Sequence, residues 1–102
     1  MSNLGGVSPQ AHVVVAPHVR CRRFDTDLVM VDLEGGEYFA LDQVGARMWE
    51  LLVVGESPAR IAVILTAEYE ANERDVLGDC IDLTEQLLKR GLLVLQQPQP
   101  GS

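Results

Sequence analysis

The residues that could carry out chemistry are few, and most of them lie near the start of the chain. Two histidines and a cysteine, His12, His18 and Cys21, fall within ten residues of one another. The surrounding pattern predicts strands, on which successive side chains point to opposite faces, so these groups do not converge as metal ligands usually do. We therefore predict no metal site and no cofactor.

Carboxylates at short spacing are the other candidates for catalysis. Asp25 with Asp27, and Asp79 with Asp82, could form acid–base pairs. A turn and a solvated helix face explain both pairs more simply. The glycine pair at residues 35–36 lacks the further glycines and the lysine of a phosphate-binding loop. We predict that the protein is not an enzyme.

Composition limits the class of partner. The chain of 102 residues has 8 Lys and Arg against 15 Asp and Glu, a formal net charge of -7, and 47% of its residues are hydrophobic. One domain with a modest core is expected. The negative charge disfavours nucleic acid and membrane surfaces as partners and favours a peptide with some positive charge.

Two further features concern the compartment. No apolar run approaches the roughly 20 residues that a membrane-spanning helix needs, and the N-terminus lacks the pattern of a signal peptide. Cys21 and Cys80 are far apart and share no ligand spacing, as expected of free thiols in a reducing cytoplasm. We expect a cytoplasmic protein that is a monomer when free.

The first half of the chain has the alternation typical of β-strands. Three strands are predicted at residues 18–24, 27–33 and 37–41. Asp25-Thr26 forms the first turn, and residues 34–36 form the second, with glycines at the positive φ positions. Consecutive strands joined in this way form an antiparallel meander, so we expect the third strand at an edge.

The second half has helical spacing with clear boundaries. Asp42 caps a first helix that ends at Gly55, Ser57-Pro58 begins a second, and a third runs from Asn72 to Gly91. The predicted fold class is therefore α+β, similar to a winged helix-turn-helix, with a three-stranded antiparallel sheet followed by three α-helices.

The two ends of the chain differ in composition from the rest. Residues 1–11 and 96–102 are expected to be flexible tails around a domain of residues 12–95. Within that domain, residues 12–16 are either an accessory strand or an extended arm. Residues 92–95 form a candidate short closing strand.

The third helix has more apolar positions than a small core requires. Its apolar side chains form two adjacent rows: Leu77, Ile81, Thr84 and Leu88 beside Val76, Cys80, Leu83 and Leu87. One row is enough to pack on a small core. The second row must therefore face the sheet, a partner, or a groove shared between sheet and helix.

A winged-helix arrangement makes DNA binding an alternative of another class. The recognition helix would be residues 73–90, which carry five acidic and three basic side chains. A helix that enters the major groove needs the opposite balance. The basic cluster of Arg20, Arg22 and Arg23 lies on a predicted strand instead.

The third strand points to peptide binding. An edge strand has unpaired N–H and C=O groups, and residues 37–41 lack the lysine or proline that usually protects such an edge. A guest strand that pairs there could place its side chains in a cleft walled by Val76, Cys80 and Leu83. This mode of recognition is β-augmentation.

The same residues resemble the PqqD family, whose members are small domains that bind the leader peptides of ribosomally made, modified peptides. The resemblance covers residues 18–95. It rests on the order of the strand segment VDLEGGEYFALD, the helix segment GARMWELL and the terminal Arg90-Gly91-Leu92-Leu93. The chain looks most like the stand-alone members of lasso-peptide pathways.

The resemblance implies a role without catalysis, in which the leader adds as a strand beside the third strand and lies against the third helix. Carried over by position, the peptide-binding residues would be Glu37, Tyr38, Phe39, Ala40, Asp75, Val76, Asp79, Cys80 and Leu83. Lasso leaders present a Tyr-x-x-Pro motif and a following Leu. The implied partner is a leader-cleaving cysteine protease, and a cyclase acts afterwards. A PQQ-type pathway with a radical SAM enzyme is the alternative.

Overall fold

Within residues 7–96, segments with strand alternation and segments with helical spacing produce two sheets and three helices. The computed structural model describes residues 7–96. Its elements are β1 (Val13–Val15), β2 (Val19–Phe24), β3 (Asp27–Asp32), β4 (Tyr38–Leu41), α1 (Gln43–Val53), α2 (Pro58–Tyr69), α3 (Glu73–Lys89) and β5 (Leu93–Leu95). The predicted α+β fold class, a three-stranded antiparallel sheet followed by three helices, is confirmed.

The main sheet has the predicted meander order, β2-β3-β4, with both pairs antiparallel. The β2–β3 turn consists of Asp25 and Thr26, and Asp25 adopts the left-handed conformation with φ 55°. Because both connections are tight, β3 is central and β4 lies at one edge. The prediction that the third strand is an edge strand is confirmed within residues 7–96.

The β3–β4 turn is organised by the carboxylate of Asp32. Its Oδ1 accepts hydrogen bonds from the backbone N–H of Glu34 at 2.9 Å and of Gly35 at 3.0 Å. These bonds, led by that from Gly35, lower the pKa of Asp32. Of the two glycines in this turn, only Gly36 has a positive φ, of 72°. Gly35 has a different role than predicted, since a Cβ there would lie 2.8 Å from Asp32 Oδ2 and would displace the carboxylate that organises the turn.

The predicted caps begin all three helices. Each cap side chain accepts a hydrogen bond from the backbone N–H three residues later, which satisfies a donor that the first turn leaves free. The pairs are Asp42 with Gly45, Ser57 with Arg60, and Asn72 with Asp75. At the other end, Gly91 follows α3 with φ 75°, as expected of a helix C-terminus.

The two short segments outside the meander pair with each other. β1 and β5 form a second, two-stranded antiparallel sheet in which Val15 faces Leu93. Residues 12–16 therefore contain an accessory strand, and the closing strand predicted at residues 92–95 is present. This pairing fastens the start of the domain to the chain that leaves α3.

Residues 7–11, which lie in the predicted N-terminal tail, make hydrogen bonds to the helices. The carbonyl of Pro9 accepts a hydrogen bond from the N–H of Ala59 at 2.8 Å, and the N–H of Val7 donates to Glu85 Oε2 at 3.0 Å. Residues 7–11 therefore contact α2 and α3. The remainder of the predicted tails, residues 1–6 and 97–102, lies outside the described residues.

The core lies between one face of the main sheet and the three helices. Its wholly buried side chains include Met30, Leu52, Ile61, Leu65 and Leu87. A hydrogen-bonded pair of arginine and glutamate joins two helices over this core. Arg47 donates from Nε and Nη2 to the two carboxylate oxygens of Glu68, at 3.1 and 2.6 Å. This bidentate contact lowers the pKa of Glu68 and raises that of Arg47.

Candidate peptide-binding groove

The outer edge of β4 is open in the part of the chain that the structure describes. β4 is the last strand in the order β2-β3-β4, and none of residues 7–96 pairs with it on the side away from β3. Its sequence, Tyr-Phe-Ala-Leu, contains no lysine or proline to protect the edge, and its pairing with β3 has no bulge. The edge is therefore available to another strand.

The register shows which residues offer hydrogen bonds at that edge. The last residue of β3 donates its N–H to the carbonyl of Glu37 at 2.9 Å. Hydrogen-bonded and non-hydrogen-bonded pairs alternate along an antiparallel ladder. Phe39 and Leu41 therefore direct their main-chain groups towards β3. Tyr38 and Ala40 direct theirs outwards, where a guest strand would meet two N–H donors and two C=O acceptors.

A groove lies beside this edge, between the end of β4, the first turns of α1 and the middle of α3. Its volume is about 590 Å³. The residues that line it are Ala40, Leu41, Asp42, Val44, Gly45, Met48, Asp79 and Leu83. Leu41 and Met48 are buried and form an apolar floor, while Val44 is 40% exposed and stands at the wall. The groove is thus apolar below and open above.

Gly45 keeps one side of the groove clear. A Cβ at this position would lie 3.2 Å from Leu41 Cδ2 and 3.3 Å from Asp42 Oδ1, which is tighter than ordinary contact. The N–H of Gly45 also donates to Asp42 Oδ1 at 2.9 Å. The absence of a side chain at Gly45 therefore avoids close contact with Leu41 and Asp42 where β4 passes into the helix.

The other end of β4 is held against α3 by Arg90. Its guanidinium lies 4.9 Å from the centre of the Phe39 ring, and Nη1 lies 3.9 Å from Glu37 Oε1. Together with Tyr38, these residues line a separate, narrow crevice at this end of the strand. α3 runs opposite to β4, since its middle faces the end of the strand and its C-terminus faces the start.

The charge at the groove is predominantly acidic. Asp42 and Asp79 line it directly, and Asp75 is exposed one turn before Asp79 on α3. The nearby cation of Arg90 is paired with Glu37. An apolar floor with acidic margins suits apolar side chains from a peptide that also carries positive charge.

Eight of the nine residues carried over from the family resemblance occupy four different positions. Ala40, Asp79 and Leu83 line the groove. The other three strand residues, at 37–39, line the crevice. Asp75 is exposed in the first turn of α3, and Val76 packs partly buried against the core.

Cys80 requires a correction. We expected its side chain in the wall of the cleft, but it is completely buried. The hydroxyl of Thr84 donates to the carbonyl of Cys80 at 2.7 Å, so both residues belong to the core face of α3. Burial raises the pKa of the Cys80 thiol to about 11. Cys80 therefore belongs to the core and offers no surface to a peptide.

Sequence reasoning missed the contribution of α1. Asp42 was predicted only as the cap of the first helix, and Val44, Gly45 and Met48 were not predicted to belong to the site. The signal was the absence of a linker between Leu41 and the helix cap. A helix that begins immediately after an edge strand must place its first turn beside the end of that strand.

The described residues form neither a metal-binding cluster nor a membrane-spanning helix. Within residues 7–96, no three or more His, Cys, Asp or Glu side chains are grouped so that they could hold a metal ion. In the same part of the chain, no helix combines the length and the apolar character needed to cross a bilayer.

The fold and the groove define a class, a small winged-helix-like α+β domain with one open strand edge beside a groove. The family model described as "Coenzyme PQQ synthesis protein D (PqqD)" matches residues 27–93, well over half of the chain. The chain belongs to the PqqD family, as its sequence resemblance indicates.

Solved structures provide the second comparison. One chain is described as "TbiB1 in Complex with the TbiA(beta) Leader Peptide". It is 32% identical, covers 83% of this chain and 96% of its own length, and has a TM-score of 0.72. Another, "Lasso peptide synthetase B1 complexed with the leader peptide", is 31% identical, covers 82% of this chain and 99% of its own, and has a TM-score of 0.77. No curated protein matches the chain.

Proposed function

We propose that this protein binds the leader segment of a ribosomally synthesised precursor peptide and delivers it to a processing enzyme, without catalysing a reaction itself. The observation that carries the proposal is the open edge of β4 directly beside an apolar groove. The solved relatives support it, since both are described as complexes with a leader peptide.

In the proposed complex, the leader adds as a fourth strand to the main sheet. It pairs with the outward N–H and C=O groups of Tyr38 and Ala40. Because side chains alternate along a strand, every second leader residue points to the same side as Leu41 and enters the groove against Leu83. The other leader residues remain on the side of Tyr38.

The energetic balance indicates where the affinity arises. Ordering the backbone of a bound strand costs roughly 1–2 kcal/mol per residue. Each new edge hydrogen bond returns about 0.5–1.5 kcal/mol, so hydrogen bonding recovers only part of the ordering cost. Net affinity then depends on two or three leader side chains that are buried in the groove, at roughly 1.5–3 kcal/mol each.

The lasso-peptide pathway is the context that we favour. The family resemblance implies leaders with a Tyr-x-x-Pro motif and a following leucine, and these side chains suit an apolar floor of Leu41 and Met48. A solved relative described as lasso peptide synthetase B1 also favours this pathway over PQQ biosynthesis. The enzyme that receives the leader is then a leader-cleaving cysteine protease.

The function can be tested by fluorescence polarisation with the wild-type protein. The probe is a fluorescein-labelled synthetic leader that contains the Tyr-x-x-Pro motif and the following leucine. We expect saturable binding, and at least about tenfold weaker binding of a scrambled peptide of the same composition. Equal affinity for the two peptides would contradict the proposal, because charge alone would then account for binding.

A further inference from the structure

The face of the main sheet opposite the helices is uncovered in the described part of the chain. Strand register places two cross-strand rows on it, Arg20–Val31–Tyr38 and Arg22–Val29–Ala40, with the pair Phe24–Asp27 beyond them. We call these eight residues the outer face. The opposite face carries Leu28, Met30 and Leu41, which are buried against the helices.

The outer face combines exposed aromatic rings with cations. Phe24 is 56% exposed and Tyr38 is 72% exposed. Val29 and Val31 lie between them at the centre of the sheet and are partly buried. Exposed apolar side chains grouped with charged neighbours are typical of surfaces that contact another protein.

The two arginines of this face have no carboxylate partner among the described residues. Arg23, on the same strand but the inner face, pairs with Glu50, and Arg47, Arg60 and Arg90 also pair with glutamates. Arg20 instead donates from Nη1 to the carbonyls of Pro17 and Val19, at 3.2 and 3.0 Å. With two arginines against the one carboxylate of Asp27, the outer face keeps a net positive charge in a chain of net charge -7.

We propose that the outer face is the docking surface for an acidic, partly apolar surface of the enzyme that processes the leader. The inference rests on the proposed function, since it names the surface by which the delivered peptide reaches that enzyme. Arg20 and Arg22 supply the charge that selects an acidic partner, and Phe24 with the two valines supplies apolar contact.

The same geometry couples docking to leader binding. Tyr38 and Ala40 belong both to the outer face and to the open edge of β4. A leader strand that pairs with them extends the sheet by one strand, and its side chains that do not enter the groove lie on the enlarged outer face. The enzyme therefore touches the protein and the peptide together and binds the loaded form more tightly. By linkage, the enzyme also increases affinity for the leader.

The test compares two double charge reversals of equal size. Arg20→Glu with Arg22→Glu changes the outer face, and Arg60→Glu with Arg74→Glu changes exposed positions on α2 and α3. The probe is the leader-cleaving cysteine protease encoded with the precursor, immobilised for biolayer interferometry with and without saturating leader. We expect the first variant to bind at least about tenfold more weakly and the control to change less than about twofold. Leader affinity should stay unchanged in both.

The outcomes separate this inference from the proposed function. Failure of the wild-type protein to bind the leader would count against the function itself. Normal leader binding with equal protease affinity of the two variants would overturn only the docking face. The wild-type protein could also be retained on heparin, and the first variant could lose that retention without any change in protease binding. That result would assign the outer face to nucleic acid and also overturn the proposal.

Discussion

Replacing Leu83 with aspartate is expected to weaken leader binding at least about tenfold while the protein stays folded. Leu83 lines the groove from α3 and is only partly buried, so its replacement places a charge where leader side chains are buried. A buried, unpaired carboxylate is costly, and the groove already contains Asp42 and Asp79. Fluorescence polarisation gives the affinity, and circular dichroism verifies the helical content.

The matched control is Val63→Asp. Val63 is 46% exposed on α2, outside the groove, so the same kind of substitution there should leave leader affinity within about twofold. If Leu83→Asp bound the leader as tightly as Val63→Asp does, the groove would not be the site that buries the leader side chains.

Replacing Ala40 with proline is expected to have an effect of similar size by a different route. The N–H of Ala40 points away from β3, so its loss removes a donor for the guest strand and no bond of the β3–β4 ladder. Proline is tolerated on edge strands for this reason. One hydrogen bond contributes about 0.5–1.5 kcal/mol, and the ring also obstructs the approaching strand, so we expect at least about a tenfold loss.

Ala40→Ser provides the control for the proline variant. Serine is similar in size and retains the N–H, so leader affinity should remain close to that of the wild type. The melting temperatures of both variants should also stay near the wild-type value. Leader binding by Ala40→Pro that equalled that of Ala40→Ser would exclude pairing at this edge.

Features set by local chemistry could be predicted from the sequence. Asp42, Ser57 and Asn72 cap helices because a short polar side chain can reach a free N–H three residues on, whatever the tertiary context. The edge position of β4 followed from the short turns, since consecutive strands joined by short turns are expected to pair as hairpins.

Features set by packing could not be predicted in the same way. Helical spacing showed that α3 has two apolar rows, but it did not show which members face the core. In the structure, Cys80 and Leu87 from one row and Thr84 from the other are buried in the core. Leu83 instead lines the groove. The angle at which a helix meets a sheet decides this, and that angle depends on all the side chains in the interface.

Long-range contacts by irregular segments were also beyond sequence reasoning. The Gly- and Pro-containing start of the chain suggested a tail. In the structure, the carbonyl of Pro9 accepts a hydrogen bond from the N–H of Ala59, and the N–H of Val7 donates to the carboxylate of Glu85. No periodicity marks such contacts. The contribution of α1 to the groove was also difficult to predict, since Val44 and Met48 belong to an apolar stripe of the helix that also packs in the core.

The central claim is that a leader completes the sheet at β4, and amide hydrogen exchange measured by NMR tests it most directly. In the free protein, the amides of Phe39 and Leu41 should be protected by β3, while those of Tyr38 and Ala40 exchange rapidly. With saturating leader, Tyr38 and Ala40 should become protected. Rapid exchange at both positions in the fully bound protein would contradict strand addition.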